Sequence, residues 1–256
     1  MKKSLLLIVA VVMMSQVMAQ SAQSEKSPKR FAVDFGFANR NYYDWSFGNN
    51  IFGTFENLSG LYLGANYQFE VAKMKGNSSF SVSAGLRYTF LGLGDTYSEK
   101  YPVEYFDQYG YYQGEGNLET KAKWRQHLIS IPFKAQINIP AGKCSLFVNA
   151  GPTFIIPLAY KTKIENTPNC WISDGIYLYH MDDHNINDFD DPNIDYKRFI
   201  VDFGFALGID IDMIRIEAGY DFGLTKVGEA KSNVPQEYKN VKCKANTFRI
   251  GVSYLF

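Results

Sequence analysis

The chain has 256 residues, and its 26 Lys and Arg balance its 26 Asp and Glu, so there is no electrostatic case for nucleic acid. Aromatics at 16% and 21 glycines suit many short strands, and three cysteines leave at least one unpaired. Beyond the N-terminal stretch, no segment approaches the roughly 20 consecutive apolar residues of a membrane-crossing helix.

After Lys2 and Lys3, Ser4 to Met14 is almost wholly apolar, and a small residue, Ala19, precedes Gln20. Residues 1–19 read as a secretory signal peptide, too short to span a bilayer as a helix. No Cys follows the cleavage point, which argues against a lipoprotein anchor. Residues 20–30 form a short polar lead, and 31–256 a single domain. Within it apolar residues alternate with polar or small ones over Phe31–Asn39, Gly60–Glu70, Phe80–Leu93, His127–Ile139, Cys144–Leu158, Phe199–Asp212, Ile214–Lys226 and Ala245–Phe256. A period of two is the mark of a β-strand. Most of these runs reach the 9–11 residues of a tilted transmembrane strand.

The connections alternate in length. Lys73–Ser79, Pro140–Lys143 and Asp212–Met213 are short, whereas Arg40–Ser59, Gly94–Gln126, Ala159–Arg198 and Val227–Lys244 are long. Short turns on one side and long loops on the other are the pattern of outer-membrane barrels. The pattern predicts an all-β fold, an eight-stranded antiparallel up-and-down transmembrane β-barrel with both termini periplasmic and four extracellular loops. The last run, with Phe248, Ile250, Val252, Tyr254 and Phe256 on one face, is too apolar for an open edge. It is predicted to pair with the first strand, with Tyr254 and Phe256 forming the C-terminal signal read by the barrel-assembly machinery.

One face of every run carries no charge, and Asp34, Arg87, Lys134, Asp202, Asp210, Arg215, Glu217, Asp221 and Arg249 all fall on the other. Lys or Arg facing lipid near the midplane costs about 2–4 kcal/mol, so the uncharged face is assigned to the membrane. A lipocalin-like soluble barrel would turn that face inward. Its solvent surface would then be rich in glycine and alanine, which fit a crowded interior better. Lone buried charges are costly, so Asp34, Arg87, Lys134, Glu217, Asp221 and Arg249 are expected to form a paired lumen network. Pro152 falls on the lipid face, where a bulge or kink is expected.

The long loops hold the remaining chemistry. Loop three contains His180, Asp182, Asp183 and His184, which could hold a metal, serve a hydrolase, or be a solvated acidic loop. Loop two carries Tyr101, Tyr105, Phe106, Tyr109, Tyr111 and Tyr112, either contact area for a partner or an aromatic girdle at the membrane rim. Cys170 and Cys243 fall in neighbouring extracellular loops of opposite charge, while Cys144 follows a periplasmic turn. A Cys170–Cys243 bridge is therefore expected, with Cys144 free.

Three stretches, Leu128–Ile137 (LISIPFKAQI), Asn149–Leu158 (NAGPTFIIPL) and Val201–Val227 (VDFGFALGIDIDMIRIEAGYDFGLTKV), resemble the PorT-like outer-membrane β-barrel family. The chain departs from the family at Gly219, where many relatives carry Arg before the Tyr. The resemblance implies an eight-stranded barrel without enzyme chemistry or cofactor, in a family whose founding member is associated with protein secretion. The expected function is a non-enzymatic outer-membrane scaffold. Its neighbours would be outer-membrane lipid and lipopolysaccharide, and its loops would engage an extracellular or envelope protein or glycan. The alternative is an outer-membrane protease, lipase or acyltransferase built on the loop-three His and Asp residues.

Overall fold

The computed structural model describes residues 31–43, 57–74, 78–93, 96–168, 170–173, 178–187, 194–231 and 242–256. Residues 1–30, which include the expected signal peptide and polar lead, lie outside this set. The described residues form strands β1 (Phe31–Tyr43), β2 (Asn57–Lys73), β3 (Ser79–Leu91), β4 (Thr96–Phe106), β5 (Tyr112–Ala141), β6 (Cys144–Thr167) and β7 (Cys170–Ser173). They continue as β8 (Leu178–Met181), β9 (His184–Asn187), β10 (Ile194–Tyr196), β11 (Ile200–Ile211), β12 (Ile214–Gly223), β13 (Gly228–Ala230) and β14 (Lys242–Leu255).

Eight of these close a ring in the order β1–β2–β3–β5–β6–β11–β12–β14. Every pair is antiparallel, and the last strand returns to the first with Val33 opposite Tyr254 and Ala38 opposite Arg249. Phe256 completes the seam: its N–H donates to the Phe31 carbonyl at 2.9 Å, and its ring lies 5.7 Å from that of Phe31. The hydrogen bonds that would make an open edge dangerous are thus spent on closure.

Burial follows the period of two. Phe35, Leu63, Val148, Leu207 and Val252 are exposed on the outer face, while Asp34, Arg87, Lys134, Asp221 and Arg249 are buried in the lumen. A water-soluble barrel could not leave that many large apolar side chains outside. The band fits hydrocarbon. The tight turns at Gly142–Lys143 and Asp212–Met213 close its lower end, with Asp212 in the left-handed region at φ 50°.

The structure corrects two expectations. Pro152 carries no bulge: the β5–β6 register is the same on both sides of it, and only the rungs at Phe133–Lys134 open. The bulge falls instead at Leu158, where His127 pairs with Ala159 and Leu128 with Pro157. The long connections, too, are not simple loops. β5 has 30 residues and β6 has 24, so both run far beyond the apolar band, and β4 pairs along the upper part of β5. β9 adds to the free edge of β6, and β7 and β8 extend the sheet beyond β4.

Candidate functional site

Two places gather polar chemistry: the lumen and the tip of the β4–β5 hairpin. In the lumen, Arg249 grips Asp221 with two contacts, Nη1 to Oδ2 at 2.8 Å and Nη2 to Oδ1 at 3.1 Å. Lys134 approaches the same carboxylate at 3.5 Å and donates to the Gly151 carbonyl at 2.9 Å. The approach depends on Gly204, where a Cβ would stand 1.7 Å from Asp221 Oδ1 and 2.7 Å from Lys134 Nζ. The other three expected members line the same cavity but find neutral partners. Asp34 accepts from Asn66 at 2.8 Å, Glu217 accepts from Asn149 at 3.0 Å, and Arg87 lies 4.6 Å over the Tyr62 ring. Gly251 lets that tyrosine in, since a Cβ there would meet Tyr62 Oη at 2.0 Å. The cavity between them measures about 30 Å³, room for a water or two.

Two further ion pairs complete the interior, neither anticipated as part of the network. Arg215 holds Asp210 in a fork, at 2.7 and 2.8 Å, with its guanidinium 4.2 Å over Phe147. The pair was legible, because a tight turn at Asp212–Met213 sets residues 210 and 215 opposite each other. Arg40, fully buried, faces Asp202 at 3.7 Å and donates to Thr247 Oγ1 at 3.3 Å. The sequence pattern puts Arg40 at the start of a loop, because the apolar residues of the outer face stop at Phe37. The inward period in fact continues through Ala38, Arg40 and Tyr42.

Above this pair the lumen turns apolar. Tyr42, Leu58, Leu91, Trp124, Leu128, Tyr160, Ile200, Val227 and Ala245 pack into one buried cluster across the mouth. Cys243 is part of it and wholly buried, so it cannot reach Cys170 on β7. β7 meets β4 only at the far end of the hairpin, Phe106 opposite Trp171, and a disulfide needs Cα atoms within about 7 Å. The expected Cys170–Cys243 bridge is absent, and no disulfide joins Cys144 to either. Burial raises the Cys170 thiol above its ordinary range, which makes it a poor nucleophile.

The hairpin tip is built on Asp107. Its carboxylate accepts the backbone N–H groups of Tyr109 and Tyr111, both at 2.9 Å, and its own N–H donates to the Tyr111 carbonyl at 2.9 Å. This Asx-type turn fixes the backbone and leaves the rings outside. Tyr109 is 76% exposed, Tyr111 70% and Tyr112 56%. Phe106 packs edge-on against Tyr112, Tyr105 covers Gly116, and the Tyr101 hydroxyl donates to Glu99. At about 3.3 Å per residue, Tyr112 stands roughly 50 Å along β5 from His127, the last outward residue of the lipid band. These aromatics are therefore not a girdle at the rim.

The described part of the acidic stretch makes local contacts only. His180 Nδ1 contacts Asp182 at 2.7 Å and its ring meets Trp171 at 4.7 Å. Asp183 accepts from the Asn166 N–H at 2.9 Å, tying off the end of β6. Among the described residues no three His, Cys, Asp or Glu side chains converge as metal ligands. His184 begins β9.

A family model described as outer membrane protein beta-barrel domain matches residues 18–229. Among solved structures, Ail, the attachment invasion locus protein of Yersinia pestis, is 12% identical, with 90% of this chain and 100% of that chain covered and a TM-score of 0.35. The Neisserial surface protein NspA is 10% identical, with 88% and 97% covered and a TM-score of 0.39. The translocator domain of the autotransporter NalP from Neisseria meningitidis is 10% identical, with 97% and 96% covered and a TM-score of 0.23. No curated protein matches the chain. The family match covers most of the chain, and the closed ring with its apolar exterior is what that family requires: this protein belongs to the outer membrane protein beta-barrel domain family and is an outer-membrane β-barrel.

Proposed function

We propose that this protein is a non-enzymatic outer-membrane scaffold whose β4–β5 hairpin presents an aromatic surface to an extracellular protein, a surface glycan or another envelope component. The carrying observation is the exposure of Tyr109, Tyr111 and Tyr112 on a turn already fixed by Asp107. Rigid, exposed aromatic rings give contact area at low entropic cost. The filled lumen supports a scaffold over a pore. In this reading residues 1–19 direct export, both termini are periplasmic, and the hairpin points away from the cell. The PorT-like motifs extend it to a role in protein secretion.

A photo-crosslinking amino acid placed at Tyr111 on intact cells tests the proposal. The expected result is one discrete adduct, lost when the flanking Tyr109 and Tyr112 are changed together to serine and not seen with a crosslinker at the lipid-facing Leu207. Absence of an adduct at Tyr111, or its persistence in the Tyr109→Ser, Tyr112→Ser variant, would sink the reading.

A further inference from the structure

We propose that the outer face of β5 and β6, just above the lipid band, binds the phosphate groups of lipopolysaccharide in the outer leaflet. The register sets Arg125 directly opposite Lys161 and Lys123 directly opposite Lys163. Like charges placed across a strand pair destabilise a sheet, so two such rungs in succession need an anion to offset them. Glu165 is shared by Lys163, at 2.7 Å, and Lys123, at 2.8 Å. Arg125 and Lys161 are exposed and form no ion pair with any described residue. At Lys163 β9 places Asn185, and Asp183, whose charge also reaches Lys163, accepts from the Asn166 N–H.

Position identifies the source of the anion. One outward step below Arg125 is His127, which shares a 2.5 Å hydrogen bond with Tyr88 at the top of the apolar band. Leu158 and Ile156, below Lys161, are exposed at 50% and 39% and continue the same column toward Ile129. A molecule seated here would lay acyl chains along that column and meet the cations at headgroup level. The guanidinium of Arg125 offers a planar fork for phosphate oxygens, and the lysines add mobile point charges. Above the cluster the two strands stay paired and polar, with Lys121 opposite Glu165 and Glu119 opposite Thr167. The sugars of a glycolipid would extend along that surface, which a plain phospholipid headgroup is too short to use. The site is separate from the hairpin tip and rests on the proposed orientation of the barrel, not on the hairpin's partner.

The test uses the full chain folded in detergent and native mass spectrometry with four additives: phosphorylated lipopolysaccharide, the same glycolipid with its phosphates removed, phosphatidylglycerol and inorganic phosphate. Wild-type protein should retain the phosphorylated glycolipid at least tenfold more strongly than the other three. Arg125→Gln with Lys161→Gln should remove that preference while leaving heat-modifiable migration unchanged, and Arg125→Lys with Lys161→Arg should restore it. Equal retention of the dephosphorylated glycolipid by the wild type would overturn the proposal, and that arm decides even if the double variant does not fold. So would unchanged binding by a folded double variant, or displacement by inorganic phosphate at equal concentration, which would mark a simple anion site.

Discussion

β5 and β6 pass through two regions of opposite polarity without leaving the sheet. In the lower region Phe133, Ile137 and Val148 face outward, while Lys134, Gln136 and Asn149 face the lumen. In the upper region Leu118, Trp124 and Tyr160 face inward, while Arg125, Lys161 and Lys163 face outward. The lower barrel is apolar outside with an ion-paired core, and the upper one is built like a soluble protein. Both obey one rule, that each face matches what it touches: hydrocarbon tolerates no charge below, and water surrounds the outer face above. The inversion lies near the Leu158 bulge. The inward positions of β6 change there from Thr153 and Ile155 to Tyr160 and Thr162, so the bulge resets the phase.

The largest effect should come from breaking the lower core. Arg249→Ala leaves Asp221 buried with only Lys134 at 3.5 Å, and removing one partner of a buried pair costs about 3–5 kcal/mol. Urea unfolding in liposomes, followed by loss of heat-modifiable migration, should show a loss of that size, and the paired replacement Arg249→Met with Asp221→Leu should recover much of it. A negligible loss in Arg249→Ala would mean that the pair is solvated.

Next in size is the outer face. Leu207→Arg, which points into the apolar band, should cost about 2–4 kcal/mol, whereas Thr167→Arg, on the outer face of the upper region, should stay within about 0.5 kcal/mol. Equal costs at the two sites would erase the proposed boundary. The mouth cluster gives a smaller and inverse test. Val227→Thr buries a hydroxyl among apolar side chains and should cost about 1–3 kcal/mol. Lower in the same interior, where Asp34, Arg87 and Lys134 already make the lumen polar, Thr89 is buried.

The lower region was legible because hydrocarbon imposes a strict alternation on every strand that crosses it. From that alternation in all eight runs, the lipid-facing side, the closure of Phe31–Asn39 with Phe248–Phe256 and the inward set of Asp34, Arg87, Lys134 and Arg249 follow. The upper region was not legible as strands. Tyr112 to Gln126 reads as a loop because its outer face meets water and keeps no apolar period, while its inner face mixes Leu118, Ala122 and Trp124 with Thr120 and Gln126. Nor could the cysteine pairing be inferred from loop order. Two loops adjacent in the ring need not share a level, and Cys243 lies inside the barrel where Cys170 does not reach. The tyrosines stand together in the sequence, but their distance from the rim is set by the length of β5, which the sequence pattern does not show.

The smallest expected effect is a difference in acid sensitivity. In the upper region Glu165 accepts from Lys123 and then Lys163, and these bonds hold its carboxyl down to about 2 from an ordinary 4.5. Glu229 is held at about 2 in the same way, by Lys197 and then Lys226. A carboxyl depressed on folding contributes stability above its unfolded value, and that contribution fades as the pH falls from about 4.5 toward 2. Both groups are partly open to solvent, so the pairs are screened and each is worth little. Hydrogen exchange should therefore quicken along the upper parts of β5 and β6 and in β13 over that window, while β1, β11 and β12 stay protected. Glu165→Gln should reduce the pH dependence of β5 and β6, where Glu119 is also held down by its bonds from Lys121 and Ser98, and leave that of β13. Acid loosening that began in the transmembrane strands instead would assign the weaker electrostatics to the wrong region.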